Sequence, residues 1–135
     1  MLKSIASIGL LLCVTVVVTG CRDSLESVTE DNLECMEKMI EVLGTITDEA
    51  TAQAALDDIR DLAEDIEEIR QRTRELADDV KAMPADEKMA VTEKFQERMG
   101  KAMEGFAREM MRLSEMPEAK EAHQAAEQAV RGTRR

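Results

Sequence analysis

Residues 52–83 read AQAALDDIRDLAEDIEEIRQRTRELADDVKAM, and the spacing of the apolar residues in this stretch decides the fold class. Ala52, Ala55, Ile59, Leu62, Ile66, Ile69, Thr73, Leu76, Val80 and Met83 alternate steps of three and four without a break. A 3.5-residue period sustained over more than four heptads is the pattern of a helix with one apolar seam. Thr47 can cap its start, with Asp48 and Glu49 in the first turn, where carboxylates favour the helix dipole. Pro84 ends it, because the residue before a proline is pushed out of helical backbone. The spacing therefore predicts a helix over about 48–82.

Two further helices are expected on either side. Ser27-Val28-Thr29-Glu30 fits a capping box, followed by Leu33, Met36, Ile40 and Leu43 on one face and Gly44 as the stop, which predicts a helix over 29–43. Thr92, Phe95, Met99, Ala102, Phe106, Met110 and Leu113 continue the alternation and predict a third helix over 86–115. The expected fold is all-α: an antiparallel helical hairpin of the second and third helices, closed at Met83-Pro84-Ala85-Asp86, with the first helix completing a small three-helix bundle over 29–116. In that hairpin Val80 faces Thr92, Leu76 faces Phe95, Thr73 faces Met99, Ile69 faces Ala102 and Ile66 faces Phe106, with coiled-coil-like packing. Thr73 would be a polar break that sets register, and β-branched residues at a with leucine at d also suit a parallel homodimer. Beyond Met116, PEAKEAHQAAEQAV is rich in alanine but has no large apolar stripe. Residues 117–135 are expected to form a weakly helical tail ending in disordered Gly132-Thr133-Arg134-Arg135.

Charge excludes one class of partner. Lysine and arginine number 18 against 29 aspartates and glutamates, and residues 21–68 hold three basic side chains against sixteen acidic ones. An acidic chain whose only aromatics are Phe95 and Phe106 offers neither phosphate contacts nor base-stacking platforms, so nucleic acid is excluded.

The N-terminus has a different character. Lys3 precedes an apolar run, IASIGLLLCVTVVV from Ile5 to Val18, which is short for a membrane span but suits the apolar core of a secretory signal. Val18-Thr19-Gly20-Cys21 then resembles the lipobox of bacterial lipoproteins. The resemblance implies a signal peptide over 1–20, cleavage between Gly20 and Cys21, and acylation of Cys21, with 21–28 as a lipidated cysteine and polar spacer. It implies a palmitate-bearing protein held to the membrane through lipid on Cys21, in an extracytoplasmic or periplasmic setting at the cell membrane or outer membrane. Arg22, in place of the aspartate associated with inner-membrane retention, favours the outer membrane. Two or three acyl chains anchor stably where one does not.

Chemistry-bearing residues are sparse. Met99, Met103 and Met110 could offer thioethers to copper(I), but methionine at these spacings is also a filler of irregular cores. Asp57, Asp58, Asp61, Glu64, Asp65, Glu67 and Glu68 read as a solvated face, since His123 is the one histidine and no calcium-loop glycine pattern is present. Cys13 lies in the signal, leaving Cys35 as an unpaired thiol. Gly100 and Gly105 mark a loose stretch or a close contact in the third helix. Arg70, Arg72 and Arg74 flank the seam and are expected to pair with Glu97, Glu104 and Glu109. With one histidine and neither Tyr nor Trp, the chain has few groups for acid–base chemistry near neutral pH, so it is expected not to be an enzyme and no cofactor or metal is assigned. The expected function is structural or protein-interacting. The alternative is a periplasmic stress chaperone or metal-responsive binder: Val91-Thr92-Glu93-Lys94-Phe95-Gln96 is similar to the LTxxQ motif of small exported helical-hairpin chaperones, with its glutamine one place later.

Overall fold

Ser24 opens the first helix. Its Oγ accepts the Ser27 N–H at 3.1 Å while Ser27 Oγ accepts the Ser24 N–H at 3.0 Å, a reciprocal cap for two otherwise orphaned donors. The cap lies three residues before the box expected at Ser27–Glu30, with Ser27 rather than a glutamate in its far position. In the computed structural model, which describes residues 23–132, the chain is all-α. The helices are α1 Leu25–Gly44, α2 Glu49–Glu75, the short α3 Ala77–Ala82, α4 Ala85–Ser114 and α5 Lys120–Arg131, with a 3₁₀ turn at Pro117–Ala119. Residues 25–28, expected as spacer, are helical, and Val28 is buried.

Helix ends follow local chemistry. Gly44 keeps ordinary helical backbone, and α1 ends at Thr45, whose hydroxyl donates to the Val42 carbonyl at 2.7 Å. Asp48, not Thr47, caps α2: its Oδ1 accepts the Thr51 N–H at 2.8 Å and Thr51 Oγ1 accepts the Asp48 N–H at 3.0 Å. Leu76, with ψ of −5°, separates α2 from α3 within the single helix expected over 48–82. Met83, extended before Pro84, ends α3; α4 ends at Ser114 with Glu115 as its cap, and Met116 is extended before Pro117.

The pairing of helices differs from the expected hairpin. α1 packs on both α2 and α4, α2 packs on α5, and α4 touches α5, so the four longer helices form a ring in the order α1, α2, α5, α4. α2 and α4 occupy opposite corners and do not run along each other. The antiparallel hairpin is made by α1 and α2. By contrast α1 and α4 run parallel, since Glu26 pairs with Lys94, Glu37 with Arg98, and the Leu43 carbonyl with Arg112. α2 and α5 are parallel too, with Arg60 near Glu121 and Arg70 on the Val130 carbonyl.

Two apolar clusters result. Met39, Leu43 and Ile46 meet Leu56, Ile59, Ile66 and Leu113 in the main core, and Leu33, Phe95 and Ala102 form a second cluster with Met36, Ile40 and Val91 around it. Ile69 and Leu76 belong to the main core, whereas their expected partners Ala102 and Phe95 belong to the second cluster. Thr73, Thr92 and Met99 are exposed, so the expected layers containing them are not formed. Thr73 sets no register; its hydroxyl donates back to the Ile69 carbonyl at 2.8 Å. Burying a side chain such as Ile59, which is 0% exposed, stabilises by about 1.5–3 kcal/mol.

The segment expected to be a weakly helical tail packs instead as α5. Ala119, Ala122, Ala126 and Ala129, at steps of three, four and three, are all buried. Small side chains let α5 approach α2 closely, and the helix draws its stability from that contact rather than from propensity. Residues 133–135 lie outside the described residues.

Candidate functional site

Val18, Thr19, Gly20 and Cys21, the stretch that resembles a lipobox, lie outside the described residues, as does Cys13. At Asp23, the first described residue, the chain is held. Arg72 Nε and Nη2 donate to the two Asp23 carboxylate oxygens at 3.0 and 2.6 Å, and Nη2 also lies 2.8 Å from Asp31 Oδ2. This fork geometry suits guanidinium to carboxylate. The hydrogen bond from Arg72 holds the Asp23 carboxyl below its usual range, and the same pair of acids raises the Arg72 guanidinium further.

The RQRTR cluster thus has three separate uses, none of them on α4. Arg70 donates to the Val130 carbonyl at the end of α5, satisfying an acceptor left without an intrahelical donor. Arg72 clasps the chain entry. Arg74 pairs with Glu67 on its own helix at 3.1 Å. The expected partners are taken by neighbours on α4: Glu97 by Lys101, Glu104 by Arg108 and Glu109 by Arg112. The correction follows from topology, because α2 and α4 are not adjacent.

α4 is instead stitched to α1 by its own cations. Arg98 donates to both Glu37 oxygens, at 3.0 and 2.9 Å, and also pairs with Glu30, and this holds the Glu37 carboxyl below its usual range. Arg112 Nη2 and Nη1 donate to the Leu43 and Ile46 carbonyls at 2.8 and 2.7 Å, capping the end of α1. Between these pairs the two helices come close at Gly105, where a Cβ would lie 3.2 Å from Ile40 Cδ1. Gly100 is different: a Cβ there would meet nothing within 4 Å.

That open space belongs to a groove of about 340 Å³ between the N-terminal halves of α1 and α4. Leu25 and Thr29 form one wall, and Val91, Phe95, Met99 and Met103 supply most of the other. The ring explains why it is open. α5 has 12 residues against 30 in α4, about 18 Å against about 45 Å, so it covers only one half of that helix. The methionines expected as core filler therefore divide: Met110 packs against the main core, whereas Met99 is 37% and Met103 60% exposed at the groove.

The remaining candidates are placed as follows. His123 lines a cleft between α4 and α5 with Met110, Met111 and Glu127. The seven acidic residues of α2 singled out above are all exposed, with Asp57 paired to Arg60. Among the described residues no three His, Cys, Asp or Glu side chains gather as a metal-holding group, and no helix is long and apolar enough to cross a membrane. Cys35 is buried on α1 with its thiol pushed up, first by loss of solvent and then by the Asp65 charge. The clasp, the groove and the α5 interface escape a sequence reading based on large apolar residues; the signals that could have found them are Asp23 just past the cysteine and alanines at helical spacing. No protein-family model, curated protein or solved structure matches this chain.

Proposed function

We propose that the chain is a lipid-anchored extracytoplasmic lipoprotein whose helical bundle has a structural or protein-interaction role at the cell membrane or outer membrane. The observation that carries this reading is Val18-Thr19-Gly20-Cys21 at the end of a lysine-led apolar run. The start of the bundle supports it: helix begins at Leu25, four residues past Cys21, and Arg72 grips Asp23 between them. A lipid on Cys21 would hold such a bundle close to its membrane without a long leader. The single histidine and the exposed acids give the reading no reason to include catalysis. Growth with radiolabelled palmitate tests it: the label is expected on the intact chain and lost in Cys21→Ala, and a Cys21→Ala protein that keeps the label overturns the reading. Crosslinking in the native membrane would then identify the partner.

A second reading, an exported chaperone or metal-responsive binder, draws support from one observation. Val91, Thr92, Phe95 and Gln96 of the stretch similar to LTxxQ line the open α1–α4 groove. Suppression of aggregation of an unfolded client, with and without copper or zinc, tests it; no protection and no metal uptake removes it.

A further inference from the structure

The groove between α1 and α4 is an opening walled mainly by apolar side chains, and Leu25, at the start of α1, is among them. We propose that it seats an acyl chain carried by Cys21 of the same molecule whenever the protein is in water rather than in a bilayer. The inference rests on the lipid-anchor reading, and takes from it only that Cys21 bears an acyl group.

Position is the first argument. Leu25 forms part of the groove wall and is four residues past Cys21, within about 13–14 Å even of a fully extended chain. Direction is the second. Because α1 and α4 run parallel, with Glu26 beside Lys94, Leu25 lies at the Val91–Phe95 end of the groove. A chain entering there has the rest of the groove ahead of it, towards Gly100 and Met103.

Length and chemistry agree. From Val91 to Met103 the wall follows 12 residues of helix, about 18 Å. One leaflet of a bilayer gives an acyl chain about 15 Å of hydrocarbon, half of the ~30 Å core. Phe95 closes the floor at 2% exposure, and the exposed Met99 and Met103 are flexible, polarisable side chains able to fold over an irregular guest. Glycine at 100 keeps the middle of the groove clear, at a cost in helix propensity that nothing else in the described structure requires.

The test uses the chain from Cys21 onward, whose bundle has its own core, alkylated at Cys21 in vitro with a hexadecyl thiosulfonate; mass spectrometry checks that buried Cys35 is untouched. The unalkylated protein should bind cis-parinaric acid, with palmitate displacing it. Gly100→Leu, whose Cβ would meet nothing within 4 Å and whose side chain would extend into the groove, should weaken that binding about tenfold or more while helical content by circular dichroism is unchanged. The alkylated protein should stay monomeric in sedimentation and lose parinarate binding, whereas alkylated Gly100→Leu should form micelle-sized assemblies. Met103→Asp at the rim gives a second variant with the same expected direction. Absence of parinarate binding, or an alkylated protein that still binds it, overturns the proposal. So does a concentration-dependent dimer of the unalkylated chain abolished by Gly100→Leu, which makes a second copy the occupant. Failure of the anchor reading shows separately, as absence of palmitate from Cys21 in cells; an empty-handed cysteine with intact parinarate binding removes the proposed occupant and leaves only a groove.

Discussion

Arg72 and Asp23 face each other fork to fork, with 3.0 and 2.6 Å between nitrogen and oxygen, so the first described residue of the chain is tied to a helix 49 positions further on. Lysine keeps the charge but cannot make both bonds. Arg72→Lys should therefore leave the bundle folded and speed amide exchange in residues 24–30, the first turns of α1, with little change in α5. Exchange rates read by mass spectrometry check this; uniform protection across α1 would show that the clasp holds nothing.

Acid should loosen these contacts in a defined window. Asp23 and Glu37 are depressed by hydrogen bonds from Arg72 and Arg98, and Asp48 by the Thr51 cap. A carboxylate with a lowered folded pKa contributes stability that is complete above its unfolded value, about 4, and is lost as pH falls through the folded one. The melting temperature is expected to be nearly flat from pH 7 to about 5 and to fall below about 4. Added salt should shrink the low-pH drop, since these pairs are partly exposed.

The alanine face of α5 gives a packing prediction. Ala126 is 0% exposed against α2, so Ala126→Leu should overpack the interface and cost about 1–3 kcal/mol in urea unfolding. Gln124→Leu, on an exposed position of the same helix, should stay within about 0.5 kcal/mol of the parent. Equal effects at the two positions would contradict the placement of α5.

The two helical glycines should respond differently to alanine. Gly100→Ala adds a methyl in open space and should stabilise by about 0.5–1 kcal/mol through helix propensity. Gly105→Ala brings the same propensity gain but presses on Ile40 Cδ1 at 3.2 Å, so its net effect should be smaller. Paired urea titrations compare them directly.

The helical nature of the chain, and most of the buried face of α2, are legible in sequence because heptad spacing from Ala52 to Ile69 writes both. Pairing is not legible, for a physical reason: a seam states that a face is buried and says nothing of what buries it. The pattern makes Leu76 and Phe95 neighbours, yet Leu76 lies in the main core and Phe95 in the second cluster, because α1 stands between α2 and α4. α5 was invisible to a search for large side chains, since the methyls of Ala122 and Ala126 bury against α2 through close approach rather than bulk. The resemblance of Val18-Thr19-Gly20-Cys21 to a lipobox is wholly a matter of sequence, and these residues lie beyond the described ones. The groove needed the structure, because it arises from the mismatch in length between α4 and α5.

The parallel pairing of α1 with α4 and of α2 with α5 also sets the order in which the molecule can be built. The α1–α2 hairpin closes over a four-residue loop, but Arg70 must meet Val130 across 60 positions and Arg112 must meet Leu43 across 69. Closing such loops costs entropy before any contact repays it, and contacts of long sequence separation slow folding. The main core is therefore left open on one side until the last helix, α5, has been made, and a chain cut short before residue 119 would present the bare faces of Ile59 and Ile66 to water.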